Sequence, residues 1–186
     1  MRFRISSTCG RVATYLLVAC ALLTSKAAYG QDRGSFTALL TLGYGLQSNA
    51  FGDETGEGLS GLSFGIGGFV NRDFALMFRL SGSNVDYEFA NQIDNVKYNV
   101  VSGVGVLDGQ FWLTDRLNFE AGAGFGFASY EDEEMDDTGL GLFAGAGYSI
   151  LLRGKFSLQV GVEYAPVFLD EFTVHNIGFN VGFQFL

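Results

Sequence analysis

The sequence predicts an all-β fold: an eight-stranded, up-and-down antiparallel transmembrane β-barrel. Three observations carry this. From Ser35 onward apolar residues recur at every second position, the period of a strand face and not of a helix stripe. The alternate positions hold polar residues and sixteen glycines, which cost stability in a strand unless something large must fit against them. The connections alternate between tight turns and long loops, as they do in outer-membrane barrels.

Taken in chain order, the first element is an address. Arg2, Arg4 and Arg11 form a basic start, Val12 to Leu23 an apolar run, and Ala28-Tyr29-Gly30 the small residues read by a signal peptidase. Cleavage is expected after Gly30, giving a signal peptide over 1–30 and a barrel domain over 31–186. Twelve apolar residues reach only about 18 Å of a bilayer core roughly 30 Å thick, too little for a helical anchor. Leu17-Val18-Ala19-Cys20 offers a lipobox as the competing reading, with Cys20 lipidated, although Ala21-Leu22-Leu23 stays apolar where such segments turn polar. Cys9 and Cys20 both lie in this segment, so the mature chain has no thiol for a disulfide, zinc site or nucleophile.

Eight strands follow. The outward residues expected are Phe36, Ala38, Leu40, Leu42, Tyr44 and Leu46 in the first, then Leu62, Phe64, Ile66 and Val70, then Phe74, Leu76, Phe78 and Leu80. The fourth carries Val96, Tyr98, Val100, Val104 and Val106, and the fifth Leu117, Phe119, Ala121, Ala123, Phe125 and Phe127. The sixth runs from Leu140 to Leu152, the seventh through Phe156, Leu158, Val160, Val162 and Tyr164, and the eighth through Ile177, Phe179, Val181, Phe183 and Phe185. Asp108 interrupts the fourth, and a bulge near Gly109 is expected to turn it inward, bringing Phe111 and Leu113 out and Trp112 in. Val85, Tyr87 and Phe89 change phase beyond Gly82, so the third strand is expected to twist or end there. Tight turns fall at Asn71-Arg72-Asp73, Thr114-Asp115-Arg116 and Arg153-Gly154-Lys155, and loops at 47–58, 82–95, 130–139 and 166–173. Aromatics at both strand ends fit two interfacial girdles. An even strand number puts both termini in the periplasm.

Arg79, Asn118, Glu120, Gln159, Glu163, Asn176, Asn180 and Gln184 share the face with the inward glycines, including Gly103 and Gly105 in the fourth strand. Such a face suits a crowded small-barrel interior and gains nothing from water. A soluble ligand-binding barrel would need an apolar interior instead.

Composition excludes other classes. The 186 residues hold 11 basic and 20 acidic side chains, and loss of residues 1–30 removes four bases and no acid, leaving −13. A chain this acidic offers no face for nucleic acid.

The alternation over Ser35 to Leu186 resembles the small eight-stranded outer-membrane barrels typified by the OmpA transmembrane domain, OmpX and the opacity-type adhesins. Gly178-Phe179-Asn180-Val181-Gly182-Phe183-Gln184-Phe185 is similar to the C-terminal strand through which that family is recognised by the barrel-assembly machinery, with Leu186 following where the family ends on the aromatic. The resemblance implies a structural or surface-interaction role through the loops, with a narrow channel for ions or small solutes as the alternative. Its implied partners are outer-membrane lipid, lipopolysaccharide and a loop-bound ligand or protein, around a monomer.

Arg79, Glu120 and Glu163, with Asn118 and Gln159, are the candidate lumen network: a buried ion pair or triad on one reading, a gate on the other. Glu131, Asp132, Glu133, Glu134, Asp136 and Asp137 form an acidic loop that is solvated, with cation binding as its sharper reading. No dedicated metal site or cofactor is expected. Nor is catalysis: lipid A deacylases of this barrel size use a His with a Ser two residues on, whereas His175 is followed by Asn176 and Ile177.

Overall fold

The computed structural model describes residues 33, 35–49, 55–90, 95–130 and 136–186, and none of these is helical. The signal segment, Cys20 and residues 131–135 of the acidic loop lie outside the described residues. Nine strands follow in order: β1 (Phe36–Asn49), β2 (Thr55–Asn71), β3 (Phe74–Ala90), β4 (Asn95–Trp112), β5 (Leu117–Tyr130), β6 (Asp136–Arg153), β7 (Phe156–Tyr164), β8 (Val167–Phe168) and β9 (Thr173–Phe185). Each of β1 to β6 pairs antiparallel with the next, and β7 pairs antiparallel with β9. β9 closes the ring on β1 in one unbroken register, from Ala38 opposite Phe185 to Asn49 opposite Val174.

The ring has eight staves because β7 and β8 are one. Tyr164 faces Ile177 and Val167 faces Val174, the same register on either side of Ala165-Pro166. Pro166 has no N–H to give β6, so the ladder is interrupted there, while its carbonyl still accepts from Leu142 N at 3.0 Å. The expected loop over 166–173 is therefore partly strand.

The tight turns are chemically specified. Asn71 Oδ1 accepts from Asp73 N at 2.9 Å, and Thr114 Oγ1 accepts from Arg116 N and Leu117 N at 3.2 and 3.0 Å, side chains standing in for backbone acceptors. Gly154 takes φ +59°, the left-handed conformation that turn requires. Gly61, at φ +78°, is the extra residue of a bulge in β2, and Thr41 Oγ1 donates to its carbonyl at 2.7 Å.

The apolar face points outward. Leu42, Phe64, Phe78, Ile177 and Phe179 are exposed on the wall, while Arg79, Asn118, Gln159, Glu163 and Gln184 are buried in the ring. Apolar side chains unburied in such numbers make sense only against lipid.

The structure corrects the fourth and third strands. β4 has no bulge near Gly109; its pairing with β3 and with β5 runs without a register shift. Asp108 and Trp112 do face inward and Phe111 and Leu113 outward, but because the whole strand has the opposite phase: Val100, Val104 and Val106 are buried in the lumen and Val101 and Leu107 are exposed. Gly103 and Gly105 therefore face outward, roofed by the rings of Phe127 and Phe125. β3 neither ends nor changes phase at Gly82. It continues to Ala90 with Val85 and Tyr87 buried, packed on Val100.

Strand length bears on both corrections. Main staves of 13 to 18 residues exceed the 9–11 that cross a bilayer. Beyond the membrane the polarity must invert, and it does: Glu57, Asn84 and Asp86 face out, while the apolar cluster that begins beside Arg79 at Val106 and Phe143 continues inside through Ala128, Ala165, Val167, Leu169, Phe172 and Val174.

Candidate functional site

The lumen is filled level by level. At the short-turn end Arg33 lies across the mouth, its guanidinium 4.3 Å from the Trp112 ring centroid and donating to the Arg72 carbonyl at 2.6 Å. Asp73 and Asp115 sit 3.7 and 3.9 Å from it. Above Trp112, Gln184 Nε2 donates to Gln110 Oε1 at 2.6 Å and to Thr37 Oγ1 at 3.0 Å, and Gln110 Nε2 donates to Glu120 at 2.6 Å. Asn118 Nδ2 donates to Gln159 Oε1 at 3.3 Å on the same level.

At mid-height Arg79 is 1% exposed. Its Nε donates to Asp108 Oδ2 at 2.9 Å, its Nη2 lies 2.5 Å from Glu120 Oε2, and its guanidinium stands 4.4 Å from the Phe143 ring centroid. A planar fork with five donors can serve two carboxylates at once, which a lysine could not do in that geometry.

Glu163 is next, and it is held differently. Ser81 Oγ donates to Oε1 at 2.8 Å, and Ser63 Oγ and Asn180 Nδ2 donate to Oε2 at 3.3 and 2.9 Å. The sequence reading grouped Arg79, Glu120 and Glu163; the geometry pairs Arg79 with Asp108 and Glu120 and gives Glu163 neutral donors. Asp108 was legible as an interruption of the strand but not as the partner of Arg79.

Above Glu163 lies a serine and amide layer that sequence reasoning missed. Gln47 Nε2 stands 3.0, 2.7 and 2.8 Å from Ser83 Oγ, Ser102 Oγ and Asn176 Oδ1. Tyr87 hydroxyl donates to the Gln47 carbonyl at 3.0 Å, closing the layer from above. The signal was present in the inward phase of β2 to β4, where Ser60, Ser63, Ser81, Ser83 and Ser102 all fall.

Leu169 and Phe172 tuck into the apolar core at the long-loop end, their backbone joined from Leu169 N to Phe172 O at 2.9 Å, with Asp170 and Glu171 turned to solvent. Cavities of about 10 Å³ each lie on either side of Glu163. Each has room for about one water.

Outside the ring, His175 faces outward with its Nδ1 2.7 Å from the Tyr164 hydroxyl and the two rings parallel. Asp136 and Asp137 open β6, at the end where residues 131–135 join it to β5. Tyr87–Ala90 of β3 and Asn95–Tyr98 of β4 pair with each other but with no further strand among the described residues, so this hairpin projects beyond its described neighbours.

No curated protein matches the chain. Among solved structures it is similar to Ail, the attachment invasion locus protein of Yersinia pestis, in complex with the heparin analogue sucrose octasulfate, at 17% identity over 82% of this chain and 100% of that one, TM-score 0.55. It is similar also to the outer membrane protein OprG from Pseudomonas aeruginosa, at 9% identity over 84% and 98% of the two chains, TM-score 0.50. Identities this low speak to the fold, and the fold is a barrel of the outer membrane. A family model describing the outer membrane protein beta-barrel domain matches residues 15–185, so the chain belongs to that family and is an outer-membrane protein.

Proposed function

We propose that this barrel is a rigid, plugged stave that presents an acidic surface outside the cell to a cationic partner. The observation that carries the reading is the packing of the lumen, where side chains meet at every level from Arg33 to Phe172. A channel needs a continuous water path, and beside Glu163 the lumen narrows to cavities of about 10 Å³ each. What then remains to act is the long-loop end. Fourteen of the 20 acids lie in or beside the four long connections, with Lys97 as the one base there. The projecting β3–β4 hairpin adds backbone donors and acceptors at that end, the kind of edge an extended peptide can join.

The charge sets the partner's sign. The solved Ail structure holds a sulfated polyanion, but here a polyanion would meet repulsion, and a cationic protein segment or cation-bridged lipopolysaccharide is favoured. In this reading residues 1–30 are removed, both termini lie in the periplasm, the Gly178–Phe185 strand serves assembly, and the barrel is a monomer.

The test pairs two measurements on protein purified from outer membranes. In nanodiscs it should bind a polylysine probe at low salt and release it at high salt, and replacing Glu131, Asp132, Glu133 and Glu134 by Gln should weaken binding at least tenfold. In planar bilayers it should give no stable conductance step. Reproducible steps without polylysine binding would replace this reading with the channel.

A further inference from the structure

Glu163 is 3% exposed, and none of the ion pairs among the described residues includes it, because Arg79 is engaged by Asp108 and Glu120. Around Arg79 the described lumen thus sets three carboxylates, Asp108, Glu120 and Glu163, against one guanidinium, while Arg33 at the mouth faces Asp73 and Asp115. A buried carboxylate without counter-charge is among the costliest features a fold can carry.

The cavity on the long-loop side of Glu163 has the composition to supply that counter-charge. It is lined by Ser60, Ser81, Ser83, Ser102, Glu163 and Asn176, with Gly82, Gly103 and Ala165 completing the wall. Oxygens crowd there: Gln47 Nε2 lies within 3.0 Å of Ser83 Oγ, Ser102 Oγ and Asn176 Oδ1, and Ser83 Oγ lies 2.9 and 2.8 Å from Ser102 Oγ and Asn176 Oδ1. A serine hydroxyl that donates to Glu163 keeps its lone pairs for another partner. The other cavity is lined by Arg79, whose charge repels a cation.

Size and donor chemistry narrow the occupant. About 10 Å³ admits one water-sized species and no hydrated ion. Oxygen ligands without thiol or imidazole suit a hard cation and not a late transition metal. One carboxylate balances one positive charge. We propose that this cavity holds a dehydrated monovalent cation of sodium size, bound by Glu163 and the serine hydroxyls, as the counter-ion of the lumen. This stands apart from what the loops bind.

Because the Gln47 layer and the Tyr87 hydroxyl lie over the long-loop side of the site, the ion should enter as the barrel folds. Protein purified from outer membranes is unfolded in urea and refolded into detergent in sodium chloride or, at equal ionic strength, in choline chloride, whose cation is too large to enter. Thermal stability is read as loss of the folded gel form. The sodium sample should melt higher by roughly 3 °C or more, the shift expected when the ion is in about tenfold excess over its Kd. Glu163→Gln should melt alike in both salts, and Ser102→Ala, which keeps the charge but removes one oxygen, should at least halve the difference. A wild-type barrel indifferent to the replacement overturns the proposal, as does a sodium shift that survives Glu163→Gln. Should Glu163→Gln fail to refold, an undiminished shift in Ser102→Ala overturns it.

Discussion

Arg79 illustrates how much of this molecule turns on single buried charges. Its guanidinium holds two carboxylates and an aromatic ring at once, so its loss strands Asp108 and Glu120, to which none of the other ion pairs among the described residues reaches. Removing one partner of a buried ionic set costs about 3–5 kcal/mol, whereas replacing the whole set by neutral groups of similar size is often tolerated. Arg79→Met should therefore lower the free energy of unfolding by roughly that amount, and adding Asp108→Asn and Glu120→Gln to it should recover most of the loss. Urea unfolding of the refolded barrel in micelles measures both. A cost below about 1 kcal/mol for Arg79→Met would show that solvent reaches the network and that it does not hold the staves together. Arg79, Glu120 and Glu163 were legible because charges are rare on the strands and their phase was clear. The serine layer was not, since serine is common on either face and carries no hydropathy signal.

At the scale of the strand, legibility depended on contrast between the two phases. β1, β5 and β9 alternate large apolar residues with small or polar ones, and their faces read correctly. β4 offers valine or leucine in both phases, at Val100 and Val101 and again at Val106 and Leu107, so periodicity alone could not choose. Asp108 was the decisive marker, and giving it a bulge instead of reversing the strand produced the error. The same seam yields a prediction. Gly105 is outward and covered by the Phe125 ring, which can swing toward lipid, whereas a Cβ on Gly124 would press into the backbone carbonyl of Gly105. Gly105→Ala should be near neutral, and Gly124→Ala should cost about 1–3 kcal/mol through overpacking against backbone that cannot move aside. Midpoints of urea unfolding compare the two, and equal costs would mean that the Phe125 ring is as fixed as the β4 backbone.

Across the whole molecule, charge is sorted along the barrel axis. Among the described residues five bases, Arg33, Arg72, Arg116, Arg153 and Lys155, mark the short-turn end, against Asp73 and Asp115, while in the sequence fourteen acids and one base fall in or beside the four long connections. The fold class and this sorting were both legible from the sequence, because alternation and loop length are repeated signals that survive a local error. How far the staves rise was hidden, since above the bilayer an inward valine and an outward aspartate look like a broken membrane pattern. An acidic rim raised beside anionic lipopolysaccharide is stable only if divalent cations lie between them, because exposed like charges within a Debye length of about 8 Å repel. Chelation should then loosen the rim, and the segment Glu131–Asp137 should respond first, having six acids in seven residues. In outer-membrane fragments, cleavage there by a glutamate-specific protease should quicken several-fold when EDTA is added and slow again with excess magnesium, while the barrel keeps its folded gel mobility. Cleavage that ignores both additions would remove the cation bridge and leave the acidic rim free for a cationic protein partner.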